Sequence, residues 1–302
     1  MAAPLRIATR GSALALWQAE RVASLVRHAQ PGAQVEVVRV ETTGDRDRTI
    51  PIWQLGGKGA FAKEVQAAVL DGRADLAVHS AKDLPSATPE GLVIAAITER
   101  ADPRDALVGS TLADLPVNGL VATGSLRRQA QLAHVRPDLR FEGLRGNMDT
   151  RVARASAPEV DAVVVAAAAL DRLELADRIA ERLDPDVMLP QVAQGALAVE
   201  CRLDDTDTRV LLDVIEHQPT RHAVDAERGF LAELGGDCSL PAAAHATIAG
   251  TTLRIRGLLS SPDGVVVVRH EVSGPPTSGA ALGRRVARHL LDDQDGAKIL
   301  GR

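Results

Sequence analysis

Two arginine-rich segments and one glycine-flanked cysteine are the residues whose types and spacing best suit chemistry. The segments are Thr123-Gly124-Ser125-Leu126-Arg127-Arg128-Gln129 and Leu144-Arg145-Gly146-Asn147-Met148-Asp149-Thr150-Arg151, and the cysteine lies in Gly235-Gly236-Asp237-Cys238-Ser239. Arginine grips a carboxylate through a planar two-pronged fork. A thiol on a tight, polar turn is suited to carrying a covalently bonded group. Together these residues describe an enzyme that holds a polyanionic intermediate while it is bonded to the protein.

Ser125 stands where it can cap a helix, and free N–H groups at a helix N-terminus attract anions. Arg127 and Arg128 then fall in the first helical turn, where cations oppose the helix dipole. That conflict suggests that a ligand supplies the compensating negative charge; the plain alternative is a capped helix with surface arginines. Arg145 and Arg151 repeat the arrangement, with Gly146 allowing close backbone approach. A third segment, His79-Ser80-Ala81-Lys82-Asp83-Leu84-Pro85, follows an apolar strand, the place where open α/β sheets bind ligands. Ser80 and Lys82 can hold an anion there, and Asp83 can steady a developing cation or move a proton. Its alternative is a solvated loop with a local Lys–Asp pair. Gly56-Gly57-Lys58-Gly59 lacks the spacing of a nucleotide phosphate loop and is read as a glycine-rich segment near the site. Cys201, inside the apolar run 196–201, fits a buried structural thiol, whereas the polar turn of Cys238 does not. His222 and His245 are possible neighbours that could activate Cys238, which sequence alone does not place.

The remaining composition narrows the class. The net charge of −5 argues against a general nucleic-acid surface. Of 35 basic residues only Lys58, Lys63, Lys82 and Lys298 are lysine. Three Phe, two Trp and no Tyr leave no stacking platform for bases and make the core one of Ala, Val, Leu and Ile. Two cysteines are too few for a disulfide framework, and the eight histidines have no metal-ligand spacing, so no metal site is expected. Reduced cysteines fit a cytoplasmic protein. The stretch 1–16 has Arg6 and Arg10 inside its apolar run and lacks a signal-peptide core, and no apolar run is long enough for a membrane span.

Around these residues the first half alternates strand and helix patterns. Strands are predicted at 5–9, 35–40, 74–78 and 92–97, with helices at 13–28 and 62–71; His79–Asp83 is read as a polar loop. This alternation implies βα units and a largely parallel sheet. The charged, proline-containing Glu99–Asp105 stretch is read as a crossing between domains. A second α/β unit follows, with strands at 119–122, 139–142 and 162–165 and helices from Ser125, from Asp149 and near 168–173. Pro190 and Gln194-Gly195 mark a second break, which allows a segment to return to the first domain. Helices at 206–215 and 220–234, strands at 243–249, 252–259 and 265–268, and a last helix at 278–292 describe a separate α+β tail.

The segments together resemble the porphobilinogen deaminase (hydroxymethylbilane synthase) family. The resemblance runs from Arg6 through the Cys238 turn and rests on Arg6–Ser12, Gly56–Phe61, Val78–Pro85, Asp102-Pro103-Arg104-Asp105, Ser125–Gln129, Leu144–Asn147, Leu189–Ala196 and Gly235–Cys238. It implies two periplasmic-binding-protein-like α/β domains with mostly parallel sheets, the active site in the cleft between them, and a smaller α+β C-terminal domain carrying the cysteine. The boundaries so implied are 1–99 with 196–216, 104–190, and 218–302. By this resemblance Cys238 holds a dipyrromethane cofactor through a thioether, and Asp83 is the catalytic carboxylate. Arg10, Ser12, Lys82, Thr123, Ser125, Arg127, Arg128, Arg145, Arg151 and Arg172 match positions that bind acetate and propionate groups or support catalysis, and Ser80 and Gly146 stand among them. Lys58 and Phe61 match a mobile loop, and Gln194 and Gly195 a substrate-side hinge.

The implied reaction is the deamination and head-to-tail joining of four porphobilinogen molecules on the primer, then hydrolysis to the linear tetrapyrrole. No metal, nucleic acid or membrane takes part. The implied product acceptor is uroporphyrinogen-III synthase, and the family suggests a monomer. This chain departs from the pattern at Gly124, where many relatives have serine, at Ala169, where glycine is common, and at Gln54, lysine in some members. Two other readings stay open at this level: a non-catalytic anion-binding protein of the same fold, and a cysteine hydrolase built on Cys238.

Overall fold

The computed structural model describes residues 4–46, 61–235 and 240–300. In chain order the elements are β1 (Leu5–Arg10), α1 (Ala13–Ala29), β2 (Val35–Val40), α2 (Thr43–Arg46), α3 (Lys63–Leu70), β3 (Leu76–Ser80), β4 (Leu92–Ile97) and β5 (Asp105–Val108). Then come β6 (Leu120–Ala122), α4 (Leu126–Val135), β7 (Arg140–Glu142), α5 (Met148–Arg154), β8 (Ala162–Ala166), α6 (Ala167–Arg172) and β9 (Glu181–Arg182). The chain continues through β10 (Leu197–Arg202), α7 (Thr206–Asp213), α8 (Gln218–Glu233), β11 (Ala242–Ala249), β12 (Thr252–Ser260), β13 (Val267–Gly274), α9 (Gly279–Arg288) and α10 (Gly296–Ile299). These fall into two compact units, 1–100 with 196–221 and 101–195 with 222–302.

The first unit is built on one sheet of order β2-β1-β3-β10-β4. β1 runs parallel to both β2 and β3, and β10 is antiparallel to β3 and β4. Helix α1 starts where Ser12 caps it, its Oγ accepting from the Ala15 N–H at 3.3 Å, and buries Ala19, Val22, Ala23 and Val26 along one stripe. That stripe packs with Ile7, Leu76, Val78 and Val199 on one face of the sheet. Val65, Ala68 and Val69 of α3 cover the other face, against Ala8 and Ala77. Alternate residues of each strand thus serve opposite cores, so both faces of the sheet are dry.

The second unit repeats the plan with order β7-β6-β8-β5-β9 and then adds a three-stranded antiparallel sheet, β11-β12-β13. β6 is parallel to β7 and β8, and β5 is antiparallel to β8 and β9. Leu132 of α4 packs with Val121 and Val164 on one face, and Val152 of α5 and Leu170 of α6 with Val163 and Val165 on the other. The fold is therefore α/β, with two mostly parallel sheets and a smaller α+β part. Within that smaller part α8 and α9 cross at small residues: a Cβ on Gly283 would overlap the Ala226 carbonyl and lie 2.8 Å from the Phe230 nitrogen.

Four readings from sequence are corrected. β3 continues through His79 and Ser80, because His79 is buried there rather than solvated. Asp105, read as the end of the charged crossing, is already the fully buried first residue of β5. The last strand starts at Val267, since Ser261, Asp263 and Gly264 form a turn that leaves Val265 and Val266 exposed. The C-terminal helix is interrupted, with a π-helical turn at His289–Asp293 following α9.

Gly283→Ala is expected to destabilise the protein although alanine is the better helix former. The propensity gain is about 1 kcal/mol, whereas overpacking against a helix backbone costs about 1–3 kcal/mol. Urea denaturation should show a lowered midpoint at unchanged slope; a raised midpoint would contradict this packing.

Candidate functional site

In each α/β sheet the candidate residues gather at one edge. β1 and β3 are parallel neighbours, so their carboxyl ends place Arg10–Ser12 and Ser80–Asp83 together at the end where such sheets bind ligands. The reversed strand β10 enters at that end, with Leu197 opposite Ser80. Asp83 closes a single 3-10 turn, Ala81–Asp83, and it and Lys82 are half-buried. Ser80 Oγ accepts from Nε2 of the buried Gln18 at 2.8 Å, which ties the turn to α1. The Arg10 guanidinium lies over the Phe61 ring, 4.2 Å from its centroid, a cation–π arrangement. A Cβ at Gly44 would overlap that same ring, so α2 closes against Phe61 only because this residue is glycine. Lys58 lies outside the described residues.

Behind this edge lies a network that the sequence did not suggest. Glu200 of β10 is buried, 3.1 Å from His79 Nε2, and accepts from Gln66 Nε2 of α3 at 2.9 Å. It links the strand leading to Asp83 with the helix that follows Phe61. A polar residue inside an apolar strand, as Glu200 is within 196–201, was the available signal.

The second unit has the same layout. β6 and β7 run parallel and end in the two arginine-bearing segments. Thr123 N–H donates to the Glu142 carbonyl at 2.9 Å, and Thr123 Oγ1 accepts from the Ser125 N–H at 3.3 Å. Gly124 sits against Leu144: a Cβ there would come within 2.6 Å of the Leu144 carbonyl oxygen. Gly146 is left-handed at φ +99°, and its carbonyl accepts from Arg151 Nε at 2.9 Å. Asn147 caps α5. Ser125 makes no side-chain cap on α4, so the first turn of that helix keeps donors of the kind that carboxylates seek.

Arg127 and Arg128 face inward. They are 3% and 6% exposed and converge on Asp105, which is 0% exposed. Arg127 Nη2 lies 2.7 Å from Asp105 Oδ2, and Arg128 Nη2 2.8 Å from Oδ1. The negative charge expected from a ligand is thus supplied by the protein. Burial opposes ionisation of Asp105, yet Arg127 and Arg128, with the Gln194 amide, outweigh it and hold its pKa down to about 2. Gln194 is fully buried and donates to the Pro103 carbonyl at 2.8 Å and to Asp105 Oδ1 at 2.9 Å. Gly195 follows at φ +90°, where a Cβ would lie 2.5 Å from the Ala101 carbonyl oxygen. Arg172 Nη2 donates to the Gly195 carbonyl at 2.6 Å, and burial pushes its pKa down to about 10.

Cys238 lies outside the described residues, between α8 and β11. The buried Cys201 thiol is pushed up to about 11, chiefly by burial, and is unsuited to nucleophilic work. Among the described residues no group of acidic, histidine or cysteine side chains is arranged to hold a metal, and no helix is long and apolar enough to cross a membrane.

Comparison with known proteins gives two family matches. Residues 5–210 match the porphobilinogen deaminase dipyromethane cofactor binding domain, and residues 222–292 match the porphobilinogen deaminase C-terminal domain. A porphobilinogen deaminase of Geobacter sulfurreducens is 47% identical over 96% of this chain and 92% of its own length. One from Pelobacter propionicus is 47% identical over 95% of this chain and 93% of its own. Among solved structures, a periplasmic His/Glu/Gln/Arg/opine family-binding protein from Silicibacter pomeroyi is a distant likeness, 14% identical over 70% of this chain and 88% of that one, with a TM-score of 0.37. The chain belongs to the porphobilinogen deaminase family, transferases whose cofactor-binding domain holds a dipyrromethane.

A prediction follows from the buried carboxylate. Asp105 titrates lower in the folded protein than in the unfolded chain, where it is near 3.8. Its contribution is therefore complete above about pH 4 and is lost as pH falls towards 2. Hydrogen exchange in β5 and α4 should be constant from pH 7 to 5, after correction for intrinsic rates, and accelerate only below about 4. Acceleration already near pH 6 would contradict the assignment.

Proposed function

We propose that this chain deaminates porphobilinogen and joins four molecules of it head to tail on a dipyrromethane primer bonded to Cys238, releasing the linear tetrapyrrole hydroxymethylbilane. Family membership together with the arginine-lined edge of the second unit supports this reading. The residues present fit such a primer. Each pyrrole carries two carboxylates, and the second edge offers the uncapped first turn of α4, the Thr123 and Ser125 hydroxyls, and Arg145 and Arg151 beside a left-handed Gly146. When bound, the primer supplies the nucleophilic pyrrole carbon that starts the chain.

The protein's own groups do the rest. Asp83, held on its short turn, faces the positive charge that develops on a pyrrole nitrogen as ammonia leaves, and stabilises it electrostatically. Arg10, Ser12, Ser80 and Lys82 hold carboxylates at the first edge. Thr123, Ser125, Arg127, Arg128, Arg145, Arg151 and Arg172 hold or brace them at the second, with Gly146 giving room. Ser12, already capping α1, and Ser80, already bonded to Gln18, are oriented before any ligand arrives. Phe61 stands beside Arg10 at the first edge, Lys58 is assigned with it to a mobile loop by the family resemblance alone, and Gln194 and Gly195 to a hinge. A three-domain division, 1–99 with 196–216, 104–190 and 218–302, is supported by three separate sheets. We further assign the protein to the cytoplasm, as a monomer that passes its product to uroporphyrinogen-III synthase.

The test is the intact mass of the purified protein beside Cys238→Ser. The wild type should exceed its sequence mass by two linked pyrrole units, and the variant should not. A wild type that stays unmodified even after incubation with porphobilinogen would favour a non-catalytic anion-binding protein. Arg145→Leu should load poorly or elongate at least tenfold more slowly, since a charge-assisted contact contributes about 1.5–3 kcal/mol; unchanged kinetics would refute its place in the clamp.

A further inference from the structure

The two arginines at the start of α4 and the glutamine before Gly195 come from distant parts of the chain, yet all three meet at one carboxylate. Asp105 is the first residue of a strand that runs against its neighbour, with Asp105 opposite Ala166, the last residue of β8. It therefore sits at the carboxyl edge of the parallel strands, beneath the segments that begin at Thr123. Its Oδ1 accepts from Arg128 Nε at 3.0 Å and from Gln194 Nε2 at 2.9 Å, and its Oδ2 from Arg127 Nη2 at 2.7 Å. The same guanidiniums reach backbone on either side: Arg127 Nη1 donates to the Leu189 carbonyl at 2.8 Å and Arg128 Nη1 to the Val164 carbonyl at 3.1 Å. Gln131, one turn on from Arg127, accepts from the Leu189 N–H at 2.8 Å and donates to its carbonyl at 3.1 Å. The segment 189–194 and the first turn of α4 are thereby held to a common point.

We propose that Asp105 is a positioning residue for carboxylate recognition, fixing Arg127, Arg128 and Gln194 in one register and leaving the node a net single positive charge. It touches no substrate. It acts by keeping the first turn of α4 and the 189–194 segment in the one arrangement that receives a carboxylate, and by lowering the charge presented there from two to one. An incoming carboxylate then meets a preset, half-neutralised receptor rather than two mobile guanidiniums. This rests on the function proposed above.

The experiment compares Arg128→Gln alone with Asp105→Asn/Arg128→Gln. The two differ only at position 105, and the double variant keeps the net charge of the native node. KM and kcat for porphobilinogen are measured with primer occupancy by intact mass and folding by circular dichroism. We expect KM in the double variant at least about tenfold above that of Arg128→Gln, with kcat changed less than about threefold. Failure of the folded double variant to load primer, where Arg128→Gln loads, is equally expected of a positioning role. Equal loading with an equal or lower KM in the double variant would overturn it, leaving Asp105 as a charge balance at most. Asp105→Glu is the second probe, keeping the charge while moving the carboxylate by one methylene. A raised KM on the folded, loaded protein is expected, and a wild-type KM would overturn the proposal. A wild type without primer would instead count against the parent function, so the two failures are told apart.

Discussion

Two guanidiniums buried side by side are tolerable only if a carboxylate is buried between them, and much of the second unit is arranged to satisfy that condition. Breaking a buried pair by removing one partner costs about 3–5 kcal/mol, a large share of the stability of an ordinary domain. Asp105 can reach Arg127 and Arg128 because β5 enters the sheet reversed and so begins where β6, β7 and β8 end. Gln194 completes the shell with its amide. The constraint explains why a strongly charged first turn of α4 coexists with its own helix dipole: half of its positive charge is offset from below, by Asp105.

The first unit solves a related problem with the same topology. Its reversed strand, β10, begins opposite Ser80 and carries Glu200 into the interior beside His79 and Gln66. The turn that presents Asp83 is thus anchored by a buried polar network behind it and by the Gln18–Ser80 bond beside it. The Gln66–Glu200 bond within that network holds α3 and β10 in one register. In both units a reversed strand starting at the candidate edge brings a buried charged residue in behind it.

The helices and parallel strands were legible in the sequence because their signals are local. The Ser12 cap, the 3.6-residue stripe of α1 and the β-branched runs of β2 and β8 each declare themselves within a few residues. The motif residues were legible too, and the edges on which they fall follow from the βα alternation. What could not be read was long-range pairing. Nothing near Asp105 distinguishes a buried counterion from a solvated charge in a proline-containing crossing. His79 looked like a loop residue because its partner, Glu200, is 121 positions away in the chain. The valines at 265 and 266 imitate a strand, and only the turn formed by Ser261, Asp263 and Gly264 moves the start to Val267. Gly124, a departure from the family pattern in sequence, lies in the structure against the Leu144 carbonyl, which a Cβ would approach to 2.6 Å.

In the proposed function both edges hold carboxylates, and Asp83 promotes each condensation. The most direct test is a rapid-quench series on Asp83→Asn and the wild type, each first loaded with preformed tetrapyrrole, then mixed with porphobilinogen and read by intact mass. The variant is expected to carry the loaded pyrrole chain and stay folded, yet to show a ladder of added pyrrole units growing at least a hundredfold more slowly than in the wild type, within the range by which a positioned acid–base or electrostatic group accelerates reaction, roughly 10²–10⁴. A ladder growing at the wild-type rate would contradict it.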